Sequence, residues 1–125
     1  MKKGVTITRK TSEKKNKVLQ IVDLLRDKKA VDIVAFDTSK VSTIWDYFII
    51  CSGESDIQVR AIYEAVLRQS KKKNIEVKHH QTDNVFRWLL IDFHDTVLHI
   101  FSEDARRFYN FERLLNSARE IKLKK

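Results

Sequence analysis

The chain has 125 residues and a mass of 14.8 kDa, with 42% hydrophobic, 10% aromatic and 34% charged side chains and a formal net charge of +8. This is one domain's worth of polymer. The composition excludes a disordered chain or a coiled coil, and no apolar run is long enough to cross a bilayer. Taken alone, the charge points to nucleic acid, but it sits at the ends. Residues 1–17 hold Lys2, Lys3, Arg9, Lys10, Lys14, Lys15 and Lys17 against Glu13, a net +6; residues 119–125 hold Arg119, Lys122, Lys124 and Lys125 against Glu120, a net +3. Residues 18–118 therefore carry −1, and the expected organisation is a nearly neutral domain over 17–118 between a basic, flexible tail (1–16) and a second basic tail (119–125).

The first residues, Met1-Lys2-Lys3-Gly4, lack the apolar stretch and cleavage site of a secretory signal. The single cysteine, Cys51, has no partner for a disulfide and lies in an apolar run, so a buried structural thiol and a cytoplasmic location are expected. Ser12 can cap a helix over about 13–29, in which Val18, Ile21, Val22 and Leu25 recur at helical spacing. Val31 to Phe36 reads as a strand, and Trp45 to Ser52, apolar almost without break, as a central strand covered on both faces. Ser55 can cap a second helix carrying Val59, Ile62, Tyr63, Val66 and Leu67 on one stripe. That helix ends in Lys71-Lys72-Lys73, which suits the negative end of its dipole. Ile75 to Lys78 is expected as a short strand. Phe86–Phe93 and Thr96–Phe101 form a hairpin closed by His94-Asp95, two residue types that tolerate positive φ. Ser102 caps a last helix with Ala105, Phe108, Phe111 and Leu115 toward the body. The order α-β-β-α-β-β-β-α predicts an α+β fold, a mixed sheet of about five strands flanked by helices.

The hairpin holds the least ordinary chemistry. A two-residue turn places Asp92 opposite Val97, Leu90 opposite His99 and Trp88 opposite Phe101, all on one side of the sheet, while Leu89, Ile91, Phe93, Leu98 and Ile100 fill the other. The second set is core. The first embeds a carboxylate and an imidazole among large apolar groups, so Asp92 and His99 either pair beneath a helix or belong to a face open to a partner. A Trp-centred patch of that kind has the anatomy of a protein-binding hot spot. Other chemistries fit less well. His79, His80, His94 and His99 with Asp92 lack metal-ligand spacing, Gly53 alone cannot build a phosphate loop, and no carboxylate pair or nucleophile and base stands at a catalytic spacing.

Trp88-Leu89-Leu90-Ile91-Asp92-Phe93-His94-Asp95-Thr96-Val97-Leu98-His99-Ile100-Phe101, followed by Arg106-Arg107-Phe108-Tyr109-Asn110-Phe111-Glu112-Arg113-Leu114, resembles the signature of the ribosomal silencing factors, or Iojap-like proteins. Ala35-Phe36-Asp37, Asp46 to Gly53, Ser55 and Gln58 to Ile62 match the same family in order and spacing, so that the resemblance covers about residues 17–118. It implies a fold similar to nucleotidyltransferases without their catalytic carboxylates, no cofactor and no enzymatic activity. It also implies binding to the large ribosomal subunit, chiefly through large-subunit ribosomal protein fourteen, which blocks joining of the small subunit and lowers translation when nutrients run short. The implied contact surface falls on Trp88, Asp92 and Phe93, with Tyr109 and Arg106 at its margin; Leu90 and His99 join it from the hairpin face. This chain departs from the family where His94 replaces a usual Gly, Gln81-Thr82 a usual Glu-Gly, and Leu115 a common Trp. The basic tails could touch ribosomal RNA, and an exposed apolar face could form a homodimer off the ribosome. The alternative readings are a nucleotidyltransferase-like enzyme and a general RNA-binding module.

Overall fold

The sheet is organised around the strand Tyr47–Gly53, which is buried at every position as its unbroken apolar sequence demands. The computed structural model describes the backbone of residues 3–123 and the side chains of residues 13–123. In chain order the elements are α1 (Lys3–Asp27), β1 (Val31–Asp37), β2 (Tyr47–Gly53), α2 (Asp56–Lys72), β3 (His79–Gln81), β4 (Trp88–Asp92), β5 (Thr96–Ser102), α3 (Glu103–Tyr109), a 3-10 turn (Phe111–Leu115) and β6 (Arg119–Ile121). The strands form one six-stranded sheet in the order β3-β4-β5-β2-β1-β6, parallel between β2 and β5 and antiparallel elsewhere.

Alternation along the central strands splits the core in two. Tyr47, Ile49, Cys51, Leu89, Ile91, Leu98 and Ile100 pack under α1, through Val18, Ile21, Val22 and Leu25, and under α2, through Val59, Ile62 and Val66. Phe48, Ile50, Val97 and Phe101 face the other way and meet Ala105 and Leu115, with Trp45, Trp88, Leu90 and Phe111 partly buried around them. The Ser55 side chain accepts from the Gln58 N–H and the Ser102 side chain from the Ala105 N–H, so both helices start at the serines that the sequence marks. At Gly53 a Cβ would come within 2.8 Å of the Val59 nitrogen and 2.9 Å of Val59 Cγ2, so α2 packs on β2 more closely than any side chain at that position allows.

Five expectations are corrected. First, α1 begins at Lys3, ten residues before the expected start, and Ser12 lies within it rather than capping it. Residues 3–16, set apart as a tail by their charge, are thus continuous with the core helix. Second, β3 occupies His79–Gln81 rather than 75–78. Asn74 turns at φ 59, the Ile75 N–H bonds back to Ser70 O, and Lys78 N to Asp92 O is the first link to β4, whose last residue is Asp92. Residues 75–77 lie beyond the end of their would-be partner. Third, β4 starts at Trp88, because Phe86 stands at φ 56, outside any strand. Fourth, α3 stops at Tyr109 where Asn110 adopts the left-handed conformation (φ 46, ψ 48), and Phe108, expected toward the body, lies on the solvent side of the helix, 77% exposed. Finally, Arg119–Ile121 pair with Ala35–Asp37 as a sixth strand, so the basic C-terminal segment is partly sheet; Lys124 and Lys125 lie outside the described residues.

Candidate functional site

The β4–β5 register is the expected one: Trp88 opposite Phe101, Leu90 opposite His99 and Asp92 opposite Val97. The turn that sets it is held by Asp92, whose Oδ1 accepts the His94 N–H at 2.8 Å, with His94 at φ 80 and the Phe93 N–H donating to Thr96 O at 2.7 Å. An Asx turn therefore does here what a glycine does more cheaply.

Val97, His99 and Phe101 on β5 are buried, while Trp88, Leu90 and Asp92 on β4, nearer the sheet edge, are only half covered. The Trp88 ring lies 4.9 Å from Phe101, 4.8 Å from Tyr109 and 5.5 Å from Phe111, centroid to centroid. Its indole Nε1–H donates to His99 Nδ1 at 3.0 Å. An indole nitrogen only donates, so Nδ1 must be the acceptor and the His99 proton sits on Nε2. That Nε2–H is buried and has no hydrogen-bond partner among the described residues. Burial among rings drives the imidazole pKa down from 6.5 to about 4, so His99 is neutral over the physiological range.

Asp92 and His99 therefore do not pair. The second Asp92 partner is Trp45, whose indole Nε1–H reaches Oδ1 at 3.4 Å across 47 residues of sequence. Trp45 in turn meets Phe48 edge to face at 5.7 Å. The two tryptophans thus hold one polar group each, Trp88 the imidazole and Trp45 the carboxylate.

Beside Trp88 runs a groove of about 360 Å³ lined by Leu90, His99 and Tyr109 together with Gln81, Thr82 and Asp83. The loop on its rim is organised by the Asp83 carboxylate, which accepts the N–H groups of Val85, Arg87 and Trp88 at 3.1–3.3 Å. Of the residues singled out from sequence, the fold brings Trp88, Leu90, His99 and Tyr109 to this groove and Asp92 to the adjoining corner. It does not bring Phe93 or Arg106. Phe93 is fully buried in the core beneath α1, so its side chain offers no surface. The Arg106 side chain, 12% exposed, spends its guanidinium on Glu112 at 2.9 and 3.1 Å and on Ser52 Oγ at 2.9 Å, in a separate depression that includes Asp32 and Glu103. Sequence reasoning missed Trp45 and Asp83 as parts of the site. The signal for Asp83 was an Asx former in a polar loop just before a strand; for Trp45 there was none beyond its being aromatic.

Little here suits covalent chemistry. The Cys51 thiol is fully buried, and burial pushes its pKa up to about 12. Among the described residues no three His, Cys, Asp or Glu side chains gather as a metal site needs, and no helix is long and apolar enough to cross a membrane. The arrangement presents a firm aromatic and aliphatic surface with a carboxylate at its edge.

A family model described as "Ribosomal silencing factor during starvation" matches residues 11–125. The protein named ribosomal silencing factor RsfS in Bacillus subtilis is 42% identical over 92 residues, which span 74% of this chain and 78% of that one. The protein of the same name in Halalkalibacterium halodurans is 38% identical over 102 residues, 82% of this chain and 87% of that one. The chloroplastic protein Iojap of Zea mays is 33% identical over 95 residues, which cover 76% of this chain and 41% of the plant protein. A crystal structure of a Bacillus halodurans protein superposes with a TM-score of 0.75 at 36% identity, covering 86% of this chain and 99% of that one. An X-ray structure from Chromobacterium violaceum gives a TM-score of 0.72 at 29% identity, covering 75% and 78%.

Proposed function

Because the chain belongs to the ribosomal silencing factor family, we propose that it silences translation by docking the Trp88 face on the large ribosomal subunit, chiefly on ribosomal protein fourteen, and so keeping the small subunit away. The observation that supports this reading is the state of Trp88: a large aromatic side chain, only partly buried on a sheet face, held by one hydrogen bond and a ring of aromatics and bordered by an open groove. Rigid, partly exposed aromatics of this kind carry a large share of binding energy in protein interfaces. The proposed action is occlusion, in the cytoplasm and under nutrient limitation, with no bond made or broken and no cofactor. Off the ribosome the same face is free to pair with a second copy.

Co-sedimentation with isolated large subunits tests the assignment. Trp88→Ala and Asp92→Ala should each weaken binding by about 2 kcal/mol or more, roughly thirtyfold, and should restore subunit joining followed by light scattering. Undiminished binding by both variants overturns the assignment of this face.

A further inference from the structure

The charge that the nearly neutral domain lacks is placed by the structure in one region. The first fifteen residues of α1, from Lys3 to Lys17, precede Val18, the first core residue among the side chains described, and carry Lys3, Arg9, Lys10, Lys14, Lys15 and Lys17 against the single acid Glu13. Two of these cations anchor the segment. Lys14 Nζ lies 2.6 Å from Asp46 Oδ2, and Lys17 Nζ lies 2.8 Å from Asp95 Oδ1 and 3.0 Å from Phe93 O. The Asp46 carboxylate also raises the Lys14 pKa above its usual value, so the ammonium stays charged. Asp95 is in the β4–β5 turn, and Asp46 follows Trp45, whose indole holds Asp92. The anchors therefore fasten the basic helix to the turn end of the hairpin, next to the corner where Asp92 stands. About 16 Å of helix, residues 3–13 at 1.5 Å per residue, precedes Lys14. On the β6 side of α1, Lys15 shares a groove with Arg119 and Lys122, among which Asp37 and Glu120 are the acids, so the two basic ends of the sequence meet on one helix.

We propose that residues 3–17 form a helical arm that binds the phosphate backbone of RNA and is held by the Lys14–Asp46 and Lys17–Asp95 ion pairs at the turn end of the β4–β5 hairpin, on the side of the sheet opposite Trp88. The proposal deepens the docking reading above and rests on it for the arm's place on the ribosome, though not for the arm's affinity for RNA. Charge selects a polyanion. The first turn of α1 contains no acidic residue, so Lys3 stands at the positive end of the helix dipole, an arrangement that an external anion relieves. A lipid surface fits less well: between Lys3 and Lys14 the only large apolar residues are Val5 and Ile7, too few for a helix to bury a face in a membrane interface. Backbone contacts of this kind add affinity without sequence preference, and protein contacts at Trp88 supply the specificity.

The test uses the full chain, a short RNA duplex and the triple variant Lys3→Glu/Arg9→Glu/Lys10→Glu, with affinity measured by fluorescence anisotropy between about 50 and 200 mM salt. The triple variant should lose at least tenfold in affinity at the lowest salt, and the slope of log Kd against log salt should fall by about two to three. Trp88→Ala should change neither. Lys15→Glu alone should lower the slope by about one, and an unchanged melting temperature shows that each variant is folded. Against isolated large subunits, the triple variant should bind with weaker salt dependence than the parent. A parent-like slope in the triple variant overturns the proposal, as does parental binding to phosphatidylserine vesicles without binding to the duplex. If Trp88→Ala leaves subunit binding intact, the docking reading fails while the duplex result still decides the arm.

Discussion

His99 provides a direct check on the electrostatics of the Trp88 face. Its ring lies 4.6 Å from Phe111, 5.4 Å from Phe48, 5.9 Å from Trp88 and 6.2 Å from Phe101, and desolvation alone lowers its pKa from 6.5 to about 4. Between those two values the unfolded chain binds a proton that the folded chain refuses, so stability rises with pH across that window and is fully present above 6.5. A depression of about 2.5 units at about 1.36 kcal/mol each corresponds to about 3 kcal/mol lost between pH 6.5 and 4, of which about 2 kcal/mol is gone by pH 5. His99→Phe keeps a ring in the cluster and removes the titration. It gives up the Trp88 hydrogen bond, worth about 1 kcal/mol, but also removes the unpaired Nε2–H, whose burial costs about 1–3 kcal/mol. Stability at about pH 7.5 should therefore be close to the parent's. Urea unfolding at half-unit pH steps should show the parent falling below the variant as acidity rises, because the carboxylates titrate alike in both proteins and cancel in the difference. Equal pH slopes for the two proteins, or a parent that is equally stable at pH 7 and pH 5, would refute the burial argument.

Phe93→Leu should lower stability, by less than the 3–5 kcal/mol typical of a buried Phe→Ala change, and leave the affinity of the folded protein for large subunits at the parental level. A tenfold loss of affinity in a variant that melts above the assay temperature would return Phe93 to the contact surface. Gly53→Ala should cost about 1–3 kcal/mol in a denaturant melt, because its Cβ meets the Val59 backbone nitrogen as well as Cγ2, and the helix backbone cannot step aside as a side-chain end can. A neutral result there would show that α2 slides on β2 without penalty.

The hairpin was legible because two mainly apolar runs, Phe86–Phe93 and Thr96–Phe101, flank a two-residue connection of types that tolerate positive φ. The serine caps at Ser55 and Ser102 were legible for a local reason, a side-chain oxygen three residues before an unpaired N–H. What was not legible depends on partners distant in sequence. Arg119-Glu120-Ile121 has one apolar residue and no β signal of its own; it is a strand only because β1 leaves an edge free. Reading Glu103 to Leu115 as one helix assumed an unbroken 3.6 period, but a left-handed Asn110 ends α3 before Phe111, and Phe108 lies on the solvent side of the helix. In the site itself the residues on the hairpin face were foreseen but their pairing was not. Asp92 and His99 are natural partners by type, yet each takes a tryptophan, because Trp45 arrives from the loop before β2 and the indole of Trp88 lies within reach of the imidazole beside it.

That exchange of partners bears on how the face can bind. An Asp92–His99 ion pair would tie both side chains to each other and leave the two indoles to find their own rotamers. With one polar anchor each, both tryptophans are instead held in place before any partner arrives. Ordering a mobile side chain on association costs about 0.5–1.5 kcal/mol, and for Trp88 much of that loss is taken in folding, offset there by contacts with Phe101, Tyr109 and Phe111. The cost falls on stability, through an orphaned Nε2–H on His99 and positive φ at Phe86 and His94 on either side of β4.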